Sequence, residues 1–215
     1  MTGSPTTAPA GSPDPGLDPL VRRTEGPQPW RRVAHAACGI VLAAALVMVD
    51  PSWAAATGVL GSLTVLLLAA DLLRLRVSGL NRLFFRVFRP FASPREARGV
   101  ASSTWFIMGA FLAVALFPLQ VVVPALLVLA LADPAASYAG RRWGRRPFGT
   151  GTFEGSLVFL AVAVVVLTPF TGVAVAAGVA VAVAAVERIP WPLDDNLVIP
   201  LATGALLWTV LPFWS

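Results

Sequence analysis

The sequence predicts an all-α, polytopic membrane protein with about seven transmembrane helices and one short interfacial amphipathic helix. Three observations lead there. The chain of 215 residues is 57% apolar and only 13% charged, about half the charged share of an ordinary soluble domain. Its apolar residues gather into seven runs near the length of a bilayer span. Its 16 cations, all arginine, fall only in every second connection between those runs.

Mean hydropathy is +0.77 and the sequence pI is 11.2. Such a chain cannot cover a globular surface with charge. That excludes an ordinary cytosolic enzyme, a nucleic-acid-binding domain and a disordered protein. A basic balance on an apolar chain fits cationic loops held on one side of a membrane. The single Cys38 leaves no internal disulfide and no cysteine metal cage.

Residues 1–30 are rich in Pro, Gly, Ser and Thr and hold seven of the 19 prolines. They predict a disordered cytoplasmic tail, because they bury too little apolar surface to offset ordering. Residues 31–215 are expected to form one integral membrane domain. Its apolar runs are 33–49, 53–70, 103–117, 119–132, 156–170, 171–186 and 197–214. Pro118 with Gln120 divides 103–132, and Pro169 with Gly172 divides 156–186, at hairpin-like breaks.

The arginines test that count. Arg22, Arg23, Arg31 and Arg32 precede the first run. Arg74, Arg76, Arg82, Arg86, Arg89, Arg95 and Arg98 follow the second. Arg141, Arg142, Arg145 and Arg146 follow the fourth, and Arg188 follows the sixth. Seven spans put every cation on one side, which the positive-inside rule makes cytoplasmic. The expected location is the cell (inner or plasma) membrane, with the N-terminus cytoplasmic and the C-terminus outside. Asp71, Glu96, Asp133, Glu154, Glu187, Asp194 and Asp195 share the cytoplasmic side, while Asp50 lies outside. Within 72–91, Leu80, Leu83, Phe84, Val87, Phe88 and Phe91 recur at helical spacing between Arg82, Arg86 and Arg89. That pattern predicts a helix lying in the headgroup layer.

Three segments carry chemistry. Residues 133–156 read Asp133, the small Ala135, Ala136, Ala139 and Gly140, then four arginines with Gly144 and Pro147, a Gly/Thr run and Glu154. Fixed cations, flexible backbone donors and carboxylates suit a phosphate ligand and a divalent cation. A plain cationic loop needs only the arginines, not ionisable Asp133 and Glu154 at two membrane borders. The second segment joins Glu187 and Arg188 to Asp194, Asp195 and Asn196, oxygen ligands for a hydrated cation or a helix cap. The third is Arg31-Arg32-Val33-Ala34-His35.

These blocks, in this order, resemble the CTP-dependent polyprenol/diacylglycerol kinase family, which includes dolichol kinase and phytol kinase. The likeness lies in Arg31-Arg32 with His35, in Asp133…Gly140-Arg141…Gly144…Glu154-Gly155-Ser156, and in Glu187…Asp194-Asp195-Asn196…Pro200. Ser103-Thr104-Trp105-Phe106 and Phe117-Pro118 resemble its middle segment, so about residues 31–214 are covered. The family pattern has a Lys three residues before the Glu of Glu-Gly-Ser. Gly151 stands there, and Arg145 and Arg146 are the cations available to replace it.

The resemblance implies a membrane lipid kinase that moves the γ-phosphoryl of CTP, or another nucleotide, to a lipid hydroxyl. The alcohol is a polyprenol, a phytol-like alcohol or diacylglycerol. It implies Asp133, Glu154 and Asp195 as catalytic residues. Arg141, Arg142, Arg145, Arg146, Gly140, Gly144, Thr152 and His35 contact the nucleotide. Asp133, Asp194, Asp195 and Asn196 hold Mg²⁺. Membrane, nucleotide and lipid alcohol are the expected partners, with no nucleic acid. The central block also resembles phosphatidate cytidylyltransferase, which remains the alternative, although that enzyme's late Pro-Gly-His-Gly-Gly-like run is missing. A non-catalytic homologue or a transporter is the second alternative. No Gly-x-x-x-x-Gly-Lys-Ser/Thr loop is present.

Overall fold

The computed structural model describes residues 16–26 and 28–210. Within them the chain is almost entirely helical. The order is α1 (Asp18–Arg22), α2 (Pro29–Val49), α3 (Trp53–Arg76), α4 (Ser78–Val87), a 3-10 turn (Pro94–Ala97), α5 (Ser102–Leu116) and α6 (Leu119–Trp143). A two-stranded hairpin follows, β1 (Pro147–Phe148) with β2 (Gly151–Thr152), and then α7 (Phe153–Thr171), α8 (Val173–Glu187) and α9 (Asp195–Val210).

The seven apolar runs correspond to α2, α3, α5, α6, α7, α8 and α9. Four of them, α2, α3, α6 and α7, are long and apolar enough to cross a membrane. The other three have 15, 15 and 16 residues, below the usual span length. The expected breaks are present. Pro118 caps α6 in extended conformation, and Gly172 ends α7 at φ +74°. Pro169 lies inside α7 and does not stop it.

The centre of the bundle is α6. In its most apolar stretch 61% is buried, against 17–28% for the other three long helices. It packs against α2, α7 and α9, while α3 packs on α5 and α8 on α7 and α9. Leu126, Leu129 and Val128 of α6 are fully enclosed with Phe159, Leu167 and Ile199. Val41, Val47, Val59, Val65 and Leu66 on the outer helices are exposed, as lipid-facing side chains are. Lipid tails are as apolar as leucine, so close packing rather than water exclusion holds such helices together. At Gly39 of α2 an added Cβ would lie 2.5 Å from Ala130 Cβ of α6, so this crossing depends on the missing side chain.

Two expectations are corrected here, the end of the fourth run and the extent of the amphipathic helix. Helix α6 does not close at Asp133 but runs on to Trp143. The small residues 135–140 are therefore a packing face and not a flexible loop, and their backbone donors are spent inside the helix. Within the described part of the expected tail, α1 and the start of α2 are helical. Leu17 is buried against Phe85 and Ala92, so α1 docks on α4; residues 1–15 of the expected tail lie outside the described residues. The amphipathic segment is α4 followed by a turn, and it ends at Val87. Its Leu80, Leu83 and Val87 are exposed while Phe85 and Asn81 are buried.

Candidate active site

Every ionisable segment singled out above collects at one end of the bundle. Three hydrogen-bonded clusters build it.

The first ties α3, α4, the 3-10 turn and α5 together. Buried Arg74 donates through Nε to Asp71 Oδ1 at 2.6 Å and through Nη1 to Asn81 Oδ1 at 2.8 Å. It also donates to the carbonyls of Glu96 at 2.7 Å and Gly99 at 2.9 Å, and its guanidinium lies 4.2 Å over the Phe84 ring. Asp71 Oδ2 accepts from Thr104 Oγ1 at 2.6 Å and from the Ala101 amide at 2.9 Å. Only a fully satisfied network of this kind makes buried charges tolerable. It was legible in one respect: Asp71 and Arg74 stand three apart at the end of an apolar helix, where an ionisable pair needs a reason.

The second cluster hangs from the first. Glu96 Oε1 accepts from Ser102 Oγ at 3.1 Å and lies 3.9 Å from Arg31 Nη2, which donates to Ser102 Oγ at 2.6 Å. Burial pushes the Glu96 carboxyl above its usual range, against the pull of the Arg31 charge and the Ser102 bonds. Ser102 also offers its carbonyl to Asn196 Nδ2 at 3.3 Å. Asn196 Nδ2 and its backbone amide both donate to Asp194 Oδ1, at 2.6 and 3.1 Å. Asp194 is thus the cap of α9 through Oδ1. Asp195 stands exposed as the first residue of α9.

The third cluster is the hairpin. Glu154 Oε2 accepts the amides of Arg145 and Arg146 at 3.1 and 3.4 Å, so it orders the arginine turn. Thr152 Oγ1 caps α7 through the Gly155 amide at 3.2 Å. Gly140 and Gly144 face Thr152; a Cβ on either would lie 2.9 Å from Thr152 Oγ1. Of the expected nucleotide contacts, Gly140, Gly144 and Thr152 therefore sit at the α6–α7 contact.

Asp133 lies among these clusters. Its carboxylate is within electrostatic reach of Asp194, Arg31, Arg188 and Arg32, and no hydrogen bond from the described residues is among the influences on it. One turn deeper, His35 Nε2 donates to the Leu129 carbonyl at 3.3 Å, with its ring edge-on to Phe106 at 5.4 Å.

A cavity of about 500 Å³ is lined by Gly26, Arg32, Tyr138, Arg141 and Arg142, and the Arg32 charge is within electrostatic reach of Asp133. Nε and Nη2 of Arg32 are buried there without a hydrogen-bond partner. Charged donors left unpaired in a protein interior are costly, and an anion in this cavity would satisfy them. Arg141 is braced by Ser137 Oγ at 2.8 Å, and Tyr138 packs edge-on against Trp143 at 5.8 Å. The expected Arg141 and Arg142 are in this cavity, whereas Arg145 and Arg146 are on the exposed turn beside it. Arg32 and Tyr138 were not anticipated as ligands. Their signal was spacing: α2 and α6 bring residues 106 apart into one cavity, which no local pattern encodes. Another cavity, about 600 Å³, lies along α3 between Ala54 and Leu66, toward the opposite end from the arginines.

No group of three or more His, Cys, Asp or Glu among the described residues is close enough to hold one metal ion. Asp133 without a donor and Asp194 with one open oxygen fit a hydrated Mg²⁺ that completes its shell with water and phosphate.

No family model matches the chain, and no solved structure matches it. Among curated proteins it is similar to the CTP-dependent diacylglycerol kinase 1 of Schizosaccharomyces pombe, 26% identical over 164 residues, 66% of this chain and 74% of that protein. That relative is a member of the group which the sequence motifs resemble.

Proposed function

We propose that the protein is a CTP-dependent lipid kinase that phosphorylates a lipid hydroxyl at the cytoplasmic membrane face. The observation that carries this reading is the arginine cavity. It has three guanidinium groups, and the one with orphaned buried donors, Arg32, is within electrostatic reach of Asp133. The likeness to a CTP-dependent diacylglycerol kinase supports the nucleotide and the class of acceptor. Diacylglycerol, polyprenols and phytol-like alcohols are the candidate substrates.

All seven apolar helices span in this reading, with α4 on the headgroup layer and the C-terminus outside. The confinement of the arginines to alternate connections supports it. The exposed Leu80, Leu83 and Val87 give α4 an apolar face toward lipid.

Phosphoryl transfer asks for positioning and charge neutralisation more than covalent chemistry. Arg32, Arg141 and Arg142 bind the triphosphate. Glu154 holds the Arg145–Arg146 turn over the mouth of the site. Asp133 accepts the proton of the lipid hydroxyl as its oxygen attacks the γ-phosphorus; the bond to the β-bridging oxygen breaks and CDP leaves. Asp133 and Asp194 would hold a hydrated Mg²⁺, which when bound would neutralise phosphate charge. Asp195 and Asn196 are also expected as ligands, but the described carboxylates form no group of three close enough to share one ion.

The test is one assay. Purified protein with labelled CTP and mixed lipid alcohols gives lipid monophosphate and CDP. CDP-lipid with pyrophosphate would instead establish the cytidylyltransferase reading. Absence of both products, with no nucleotide bound, would establish a non-catalytic homologue.

A further inference from the structure

Arg188, the one cation between α8 and α9, has a placement that its neighbours dictate. Glu187 is buried beside it. Nε and Nη2 of Arg188 pair with the two Glu187 oxygens, so a fork-to-fork contact fixes the guanidinium plane. Nη1 takes no part in that fork. It occupies the volume that a side chain on Gly151 would take, and Cζ would lie 3.0 Å from a Cβ there.

The hairpin is shaped to allow this. Its two-residue turn has Gly149 at φ +56°, a backbone conformation natural to glycine at that turn position. A Cβ on Gly149 would lie 2.9 Å from Arg188 Cβ. Thr150 Oγ1 donates to the Glu187 carbonyl at 3.3 Å, fastening the tip to the end of α8. The guanidinium is also within electrostatic reach of Asp195 and Asp133. Burial lowers the Arg188 pKa while those two carboxylates hold it up, and arginine keeps its charge throughout.

We infer that Arg188 is a phosphate-binding residue of the site, brought to the carboxylates from the α8–α9 connection through the space left by Gly151. The cation of the hairpin is thus supplied by a residue 37 positions away in sequence. Glu187 aims it, the bare hairpin backbone makes room for it, and Nη1 is the donor offered to a phosphate oxygen. The inference rests on the nucleotide reading above.

The experiment measures binding of inorganic triphosphate and of CTP to purified protein in detergent without lipid, and then KM and kcat for CTP. Arg188→Ala should weaken both ligands by about 10- to 100-fold, the worth of one charge-assisted bond. Arg188→Lys keeps the charge and loses the Glu187 fork, so its loss is intermediate. Gly151→Ala removes no charge but displaces the guanidinium, and should weaken both ligands in the same direction. A lower melting temperature in these variants with unchanged affinity and KM makes Arg188 a structural fastening and overturns the inference. So does wild-type affinity in Arg188→Ala. If the wild type binds triphosphate through Arg188 but makes no lipid phosphate, the kinase reading fails and this inference stands.

Discussion

Arg74 and Asp71, three residues apart on α3, face each other at 2.6 Å in the interior and carry the platform on which the site is hung. The same guanidinium grips the Glu96 and Gly99 carbonyls. Those carbonyls lie just before the start of α5, where Ser102 meets Arg31 and Asn196.

Arg74→Ala should therefore destabilise the protein by about 3–5 kcal/mol, since it leaves Asp71 as an uncompensated buried charge. Arg74→Lys should recover little, because an ammonium cannot present the planar fork to four acceptors. Thermal unfolding in detergent checks both; a loss in Arg74→Ala no larger than a surface substitution would count against the network.

Arg32→Gln should weaken CTP by about 10- to 100-fold, the range for bonds to a charged donor. The fold should persist, because the orphaned nitrogens contribute no bond to it. Titration with CTP in detergent reads this directly. Affinity equal to wild type would remove the cavity from the site.

Asp133→Asn should abolish lipid phosphorylation while leaving the protein inserted and able to bind CTP. The amide keeps the shape of the carboxylate and cannot take the hydroxyl proton. Product counts in the labelled-CTP assay decide it, and full activity in this variant would sink the assignment.

Gly109→Ala acts at a distance. An added Cβ on α5 would press on the Asn196 carbonyl of α9, shifting Asp195 and Asn196 together. A misplacement near 1 Å costs about 100-fold in rate at many sites. The expected result is a lower kcat with CTP affinity near wild type, because the arginine cavity lies on α2 and α6.

Glu96 sets a pH dependence. Burial raises its folded value above the ordinary carboxylate value, so the folded chain keeps a proton that the unfolded chain has released. This contribution to stability is complete below the unfolded value and falls away as pH rises through the folded one. Melting temperatures of wild type and Glu96→Gln, measured between about pH 4 and pH 7, should show the wild type losing stability relative to the variant as pH rises.

The parts of this protein that its sequence by itself determined are those that depend on local composition. Runs of apolar residues predict helices because a chain in lipid must satisfy its own backbone. Pro118 and Gly172 mark breaks because one lacks an amide hydrogen and the other tolerates a positive φ. The arginine map predicts that all charged chemistry gathers at one end, and the three clusters lie there together. The amphipathic spacing of 80–91 is realised as α4, shortened at Val87.

Only the tertiary structure decided which charges face which. Asp133 belongs to the interior of a long helix and not to its end, since neither Pro134 nor the small residues after it stop a helix held between α2 and α7. Glu154 and Asp194, equal candidates as carboxylates, differ because one accepts two loop amides and the other caps α9 with one oxygen left open. Arg32 became a ligand candidate through a cavity shared with Arg141 and Arg142, and Arg188 through the side chain that Gly151 lacks. Such pairings join residues far apart in the chain, and helix packing, not sequence spacing, sets the distance between them.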